Sequence, residues 1–136
     1  MIKPKKVKYL KSHKRISKQC ETKFTFLKNG EFGIKLLQAG RLTASQLNSV
    51  KLALSKKMKR VGKIWLNGFP DLSVTKKPAE TRMGKGKGNV EFWCLPVKTG
   101  RILFEISGIS STLAKEALLL AKSKLSLTAK IIFKYN

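Results

Sequence analysis

The chain has 136 residues, enough for one domain around a single core and little more. Thirty Lys and Arg face seven Asp and Glu, a formal net charge of +23, although 42% of the residues are apolar. Such a chain repels itself and is stabilised beside a polyanion, of which nucleic acid is the densest; no apolar run approaches the roughly 20 residues that span a bilayer, which argues against a membrane-spanning helix.

Residues 1–23 hold nine cations and one acid, Glu21. With so few apolar residues they read as an extended basic arm that orders on a partner. Val7, Tyr9 and Ile16 interleave with the cations, as an RNA-contacting segment requires. Residues 24–136 read as one domain. A strand pattern at Phe24 and Phe26 and again at Phe32, Ile34 and Leu36 is broken by the Asn29-Gly30 turn signal. Thr43 and Gln46 then make a capping box. Leu47, Val50, Leu54 and Met58 follow at helical spacing, with Lys56, Lys57, Lys59 and Arg60 in the last turn and Gly62 as the expected cap.

A strand is predicted over 63–69, stopped by Pro70. Residues 71–90 show no apolar periodicity and carry glycines at 84, 86 and 88, so they read as a long functional loop. Strands over 91–97 and 101–107 are predicted to pair as a hairpin through Lys98-Thr99-Gly100. Ser110 or Ser111 caps a second helix whose apolar face is Leu113, Ala117, Leu118, Ala121 and Leu125, and a last strand covers 127–135. That helix carries only Lys115, Lys122 and Lys124 on its basic side, too narrow a face for a membrane-surface helix. The order implies an α+β fold, a mostly antiparallel sheet with two helices packed on one face.

No catalytic constellation emerges. Gly84-Lys85-Gly86-Lys87-Gly88 lacks the spacing of a nucleotide-binding P-loop and leads into a strand, so its glycines are read as letting backbone amides and ammonium groups approach RNA phosphate. Cys20 and Cys94 have no metal spacing, His13 lies alone in a basic run, and Glu105 and Glu116 read as surface acids. Neither a cofactor, a metal nor a small-molecule substrate is expected.

The stretch Thr-Lys-Lys-Pro-Ala-Glu-Thr-Arg-Met-Gly-Lys-Gly-Lys-Gly-Asn-Val-Glu-Phe-Trp-Cys at 75–94 resembles large-subunit ribosomal protein sixteen of the bacterial type. Its most specific part is Arg82-Met83-Gly84-Lys85-Gly86-Lys87-Gly88. Further blocks match in order: Lys3-Pro4-Lys5-Lys6-Val7-Lys8-Tyr9, Gly40-Arg41-Leu42-Thr43, Lys63-Ile64-Trp65, Phe69-Pro70, the run Gly100 to Gly108, and Ala114-Lys115-Glu116-Ala117. The resemblance covers nearly the whole chain. Residues 16–23 depart from it in lacking an Arg- and Gly-rich character. Cys94 and Pro96 depart in replacing small branched residues, and Pro96 suggests a bulge or edge position.

The resemblance implies a non-catalytic protein bound to large-subunit rRNA and neighbouring ribosomal proteins, with the loop at 74–90 near tRNA by the peptidyl-transferase region. The rRNA-binding residues are then Lys3, Lys5, Lys6, Lys8, Lys11, His13, Lys14, Arg15 and Lys18 of the arm with Lys56, Lys57, Lys59 and Arg60 of the helix end. The tRNA-proximal residues are Lys76, Lys77, Arg82, Met83, Gly84, Lys85, Gly86 and Lys87. Because the match starts at Lys3, no cleaved presequence is expected. The skew of 25 Lys to 5 Arg and the irregular arm suggest an organelle-encoded mitochondrial protein, the alternatives being a plastid or the bacterial cytoplasm. Composition alone also fits a free nucleic-acid chaperone.

Overall fold

The computed structural model describes residues 2–14 and 19–134. Strands β1 (Phe32–Leu36) and β2 (Gly40–Thr43) precede helix α1 (Ala44–Lys57). Strands β3 (Lys63–Leu66), β4 (Leu72–Lys76), β5 (Asn89–Val97) and β6 (Ile102–Ser107) come next, then helix α2 (Ser111–Ser123) and strand β7 (Ala129–Phe133). The strands form two antiparallel sheets, one ordered β3-β6-β1-β7 and the other β2-β5-β4. The fold is α+β, with the strands divided between two sheets where the periodicity suggested one.

Helix α1 begins where its capping box places it. The Gln46 amide donates to Thr43 Oγ1 at 3.2 Å, and the Thr43 amide donates to Gln46 Oε1 at 3.0 Å. Ala44, Leu47, Val50, Ala53 and Leu54 form its buried face. Its end differs from the expectation. Lys59 and Arg60 take left-handed backbone angles, φ 51° and 63°, and the Arg60 amide closes on the Ser55 carbonyl at 3.0 Å. Gly62 caps nothing: a Cβ there would collide with Met58 Cε and lie 2.7 Å from the Ser107 carbonyl, so glycine permits close packing of the helix end on β6. At α2, Ser110 occupies the N-cap, but its hydroxyl meets Thr112 Oγ1 at 3.3 Å and makes no cap bond.

One core lies between the helices and both sheets, built on Ile34, Leu36, Leu42, Leu47, Leu54, Phe104, Ile106 and Leu118. Every residue of β6 from Ile102 to Ile106 is buried, so both of its faces are covered. Segment 24–30 forms no strand, contrary to its pattern. It bends along β6 instead, where Phe24 accepts from the Ile102 amide at 2.8 Å and Phe26 stays exposed.

Strands β5 and β6 are not a hairpin. Strand β5 pairs with β2 and β4, β6 pairs with β1 and β3, and the turn through Gly100 (φ 88°) carries the chain from one sheet to the other. Each strand's periodicity reports its own burial and is silent about which strand lies beside it. Strands β2 and β4 stand where none was predicted, and β4 occupies the first part of the supposed loop. The aperiodic stretch between ladders is therefore 77–88. Pro96 lies in the central strand of its sheet, opposite Arg41. The β4 ladder stops at Cys94, so Pro96 faces no partner on that side and its position is edge-like.

Candidate nucleic-acid interface

Lys3, Lys5, Lys6, Lys8, Lys11, His13 and Lys14 are all exposed along the arm, while Arg15 and Lys18 lie outside the described residues. Tyr9 is 73% exposed, with the Lys8 ammonium 5.5 Å from its ring centroid. The arm's end is anchored in the domain. Arg101 Nη1 donates to Glu21 Oε2 at 3.3 Å, its Nη2 donates to the Asn67 carbonyl at 2.7 Å, and the guanidinium lies 4.8 Å from the Phe24 ring centroid. The Glu21 amide also donates to the Thr99 carbonyl at 2.9 Å.

The loop is exposed from Lys77 to Lys87. Gly84, Lys85 and Gly86 all have positive φ, at 96°, 53° and 81°, a run that two glycines permit and that turns the tip outward. Lys77 Nζ donates to the Gly84 carbonyl at 2.7 Å and braces the turn. Lys76 faces Glu91 at 3.5 Å. Arg82, Met83 and Lys85 project into solvent, Met83 entirely.

Arm and loop meet. Lys11 Nζ donates to the Lys87 carbonyl at 2.7 Å, and Lys87 Nζ returns a bond to the Ser12 carbonyl. Ser12 Oγ lies 3.2 Å from Ser73 Oγ of β4. The two predicted clusters are thus one surface. Lys56, Lys57, Lys59 and Arg60 form another, at the far end of the 14-residue α1, about 20 Å along its axis from the Thr43 end. There Lys57 pairs with Glu116 at 2.9 Å, and Lys56, Lys57, Lys59 and Lys124 rim a groove of about 500 Å³ floored by Ala53, Leu113 and Leu120.

The acids leave this charge largely unneutralised. Among the described residues Glu21, Glu91 and Glu116 form ion pairs, and the chain has seven acids in all against thirty Lys and Arg. Glu105 is no surface acid. It is fully buried, and its Oε2 accepts from the amides of Lys28, Asn29 and Gly30 while Oε1 accepts from Asn67. Burial pushes its pKa up, but these four bonds together outweigh burial and hold it below the ordinary carboxylate value. The signal for this role was available, a lone acid amid Ile102, Leu103, Phe104 and Ile106. Burial raises the Cys94 thiol, and Cys20 is exposed. Among the described residues no cluster of His, Cys, Asp and Glu could hold a metal, and no helix is long and apolar enough to cross a membrane.

An exposed cationic surface with few ion pairs among the described residues attracts polyanions. Residues 4–132 match the family model described as "Ribosomal protein L16p/L10e". The chain belongs to the ribosomal protein L16p/L10e family. It is 47% identical over 133 residues to the "Large ribosomal subunit protein uL16" of Maricaulis maris, covering 97% of this chain and 96% of that one. It is 46% identical over 132 residues to the protein of the same name from Afipia carboxidovorans, with the same coverage. The L16p/L10e match takes in most of the arm, the whole loop and the α1 end, so every cationic cluster except the arm's first residues lies within it.

Proposed function

We propose that this chain is a non-catalytic constituent of the large ribosomal subunit. It binds large-subunit rRNA through the arm and the end of α1, and presents the tip of loop 77–88 toward tRNA near the peptidyl-transferase region. The observation that carries the reading is the clasp of Lys11 and Lys87, which joins the arm to the loop as one cationic surface. Around it, Lys14, Arg82 and Lys85 stand free to meet phosphate in a chain whose ribosomal family is plain from its relatives. Neighbouring ribosomal proteins are the remaining partners. The Lys skew supports a mitochondrial ribosome, with the bacterial cytoplasm as the alternative favoured by the bacterial relatives.

Arg82 is one of five arginines and is exposed beside the left-handed tip. A guanidinium grips phosphate with two bonds or stacks on a base, which an ammonium does less well. Large subunits carrying Arg82→Ala should sediment with full occupancy of the protein by mass spectrometry, yet bind tRNA more weakly. A lost charge-assisted contact of about 1.5 to 3 kcal/mol sets an upper bound of roughly 10- to 150-fold, reduced by redundant contacts. Unchanged tRNA binding and elongation at full occupancy would remove the loop from the tRNA path. Absence of even the wild-type chain from large subunits in moderate salt would favour a free chaperone.

A further inference from the structure

Where the arm, β2, β4 and the loop converge, a niche of about 70 Å³ opens to solvent. A water occupies about 30 Å³ of liquid, so the niche suits one tetrahedral oxyanion and is too small for a nucleobase. Its polar lining is Ser12 and Lys14 from the arm, Arg41 from β2, Ser73 and Thr75 from β4, and Lys87 from the loop. Three cations and three hydroxyls line it. Ser73 is only 6% exposed, one of two buried polar side chains in the described residues, and its hydroxyl already meets Ser12 Oγ at 3.2 Å.

We propose that this niche binds a single phosphate group, supplied by the rRNA backbone. The chemistry is that of a phosphate seat: a planar guanidinium and two ammonium groups supply charge, and short hydroxyl side chains, unable to reach far, fix the anion's position. The site deepens the rRNA-binding reading and rests on it for the identity of the phosphate. It also gives the clasp a purpose. Lys14 belongs to the arm and Lys87 to the loop, so one phosphate held by both ties the arm's ordering on RNA to the loop's placement.

The test is the salt dependence of binding of the full-length protein to transcribed large-subunit rRNA, alongside an amide NMR titration of the free protein with inorganic phosphate against chloride at matched ionic strength. Cations that share one phosphate count as one contact. The triple variant Lys14→Met/Arg41→Met/Lys87→Met should therefore reduce the magnitude of the log–log salt slope by about 0.7 to 0.9. Ser73→Ala removes a neutral donor, so it should weaken binding severalfold at an unchanged slope. Arg41→Lys should keep the wild-type slope, and Lys115→Met, on the exposed face of α2, should change nothing. A slope loss of about 1.4 to 1.8 would mean two separate phosphates and overturn the shared seat. Saturable phosphate shifts at Ser12, Ser73 and Thr75, lost in Arg41→Met, would with an unchanged rRNA slope keep the phosphate chemistry and assign it to free phosphate. No shift and no slope change would overturn the site. If wild-type protein shows no salt-dependent rRNA binding, the functional reading fails and the phosphate titration alone decides the niche.

Discussion

The Glu105 carboxylate reaches out of β6 to the amides of Lys28, Asn29 and Gly30 and so fixes the segment between the arm and β1. Its folded-state pKa lies below the unfolded value, so it contributes stability that is fully present above about 4.3, the ordinary glutamate value. That contribution is lost as pH falls through the depressed folded value. Glu105→Gln keeps the shape but turns one acceptor into a donor facing backbone N–H groups or Asn67. It should destabilise the protein by about 1 to 3 kcal/mol at pH 7. Urea melts of both proteins at pH 7 and pH 3 should converge on acidification, because the wild type alone has this charge to lose. A constant gap between the two curves would deny Glu105 its ionised state in the fold. Arg101, in the turn just before that strand, has a parallel duty, and its bonds to Glu21 and Asn67 leave it anchoring the arm's base instead of meeting RNA.

At the scale of elements, β4 and β5 run as one antiparallel ladder from Leu72 opposite Cys94 to Lys76 opposite Asn89. The loop 77–88 merely closes that ladder and buries no side chain of its own. Replacing those residues by a four-residue Gly-Ser turn should preserve the far-ultraviolet circular dichroism. It should also stabilise the free protein by up to about 1 kcal/mol, since the loop to be closed is threefold shorter. Collapse of the spectrum would make the loop structural and weaken its functional reading. The sequence disclosed what is local. The start of α1 was legible because Thr43 and Gln46 are three residues apart, and the two basic clusters were legible as runs. Pairing was not: β5 and β6 looked like a hairpin across Gly100 because nothing in either strand names its neighbour, and β2 and β4 are too short to show a period. The Lys11–Lys87 clasp spans 76 residues and the niche draws on four separate segments, so neither leaves a mark in any window of sequence.

For the whole molecule, the question is how a chain of +23 distributes its charge between stability and binding. The core is apolar and the described ion pairs are few, so most of the cations do nothing for the fold. Eight of them, Lys3, Lys5, Lys6, Lys8, Lys11, Lys14, Arg15 and Lys18, lie within the first eighteen residues, before the anchor at Glu21 and Arg101. If those eight each neutralise one rRNA phosphate, they account for a log–log salt slope of about −6 to −7. Deleting residues 1–18 should therefore flatten the measured slope by nearly that amount. The truncated domain should still fold, because every core residue lies from Ile34 onward and the Arg101 anchor is retained. Lys14 shares its phosphate with Arg41 and Lys87, and deletion leaves both of those in place. The loss of slope should consequently fall about one contact short of eight. Filter-binding or fluorescence titrations between 50 mM and 400 mM salt measure this directly. A truncated protein with a wild-type slope would place the RNA-binding charge elsewhere, and the exposed turn at Lys59 and Arg60 would be the first place to look.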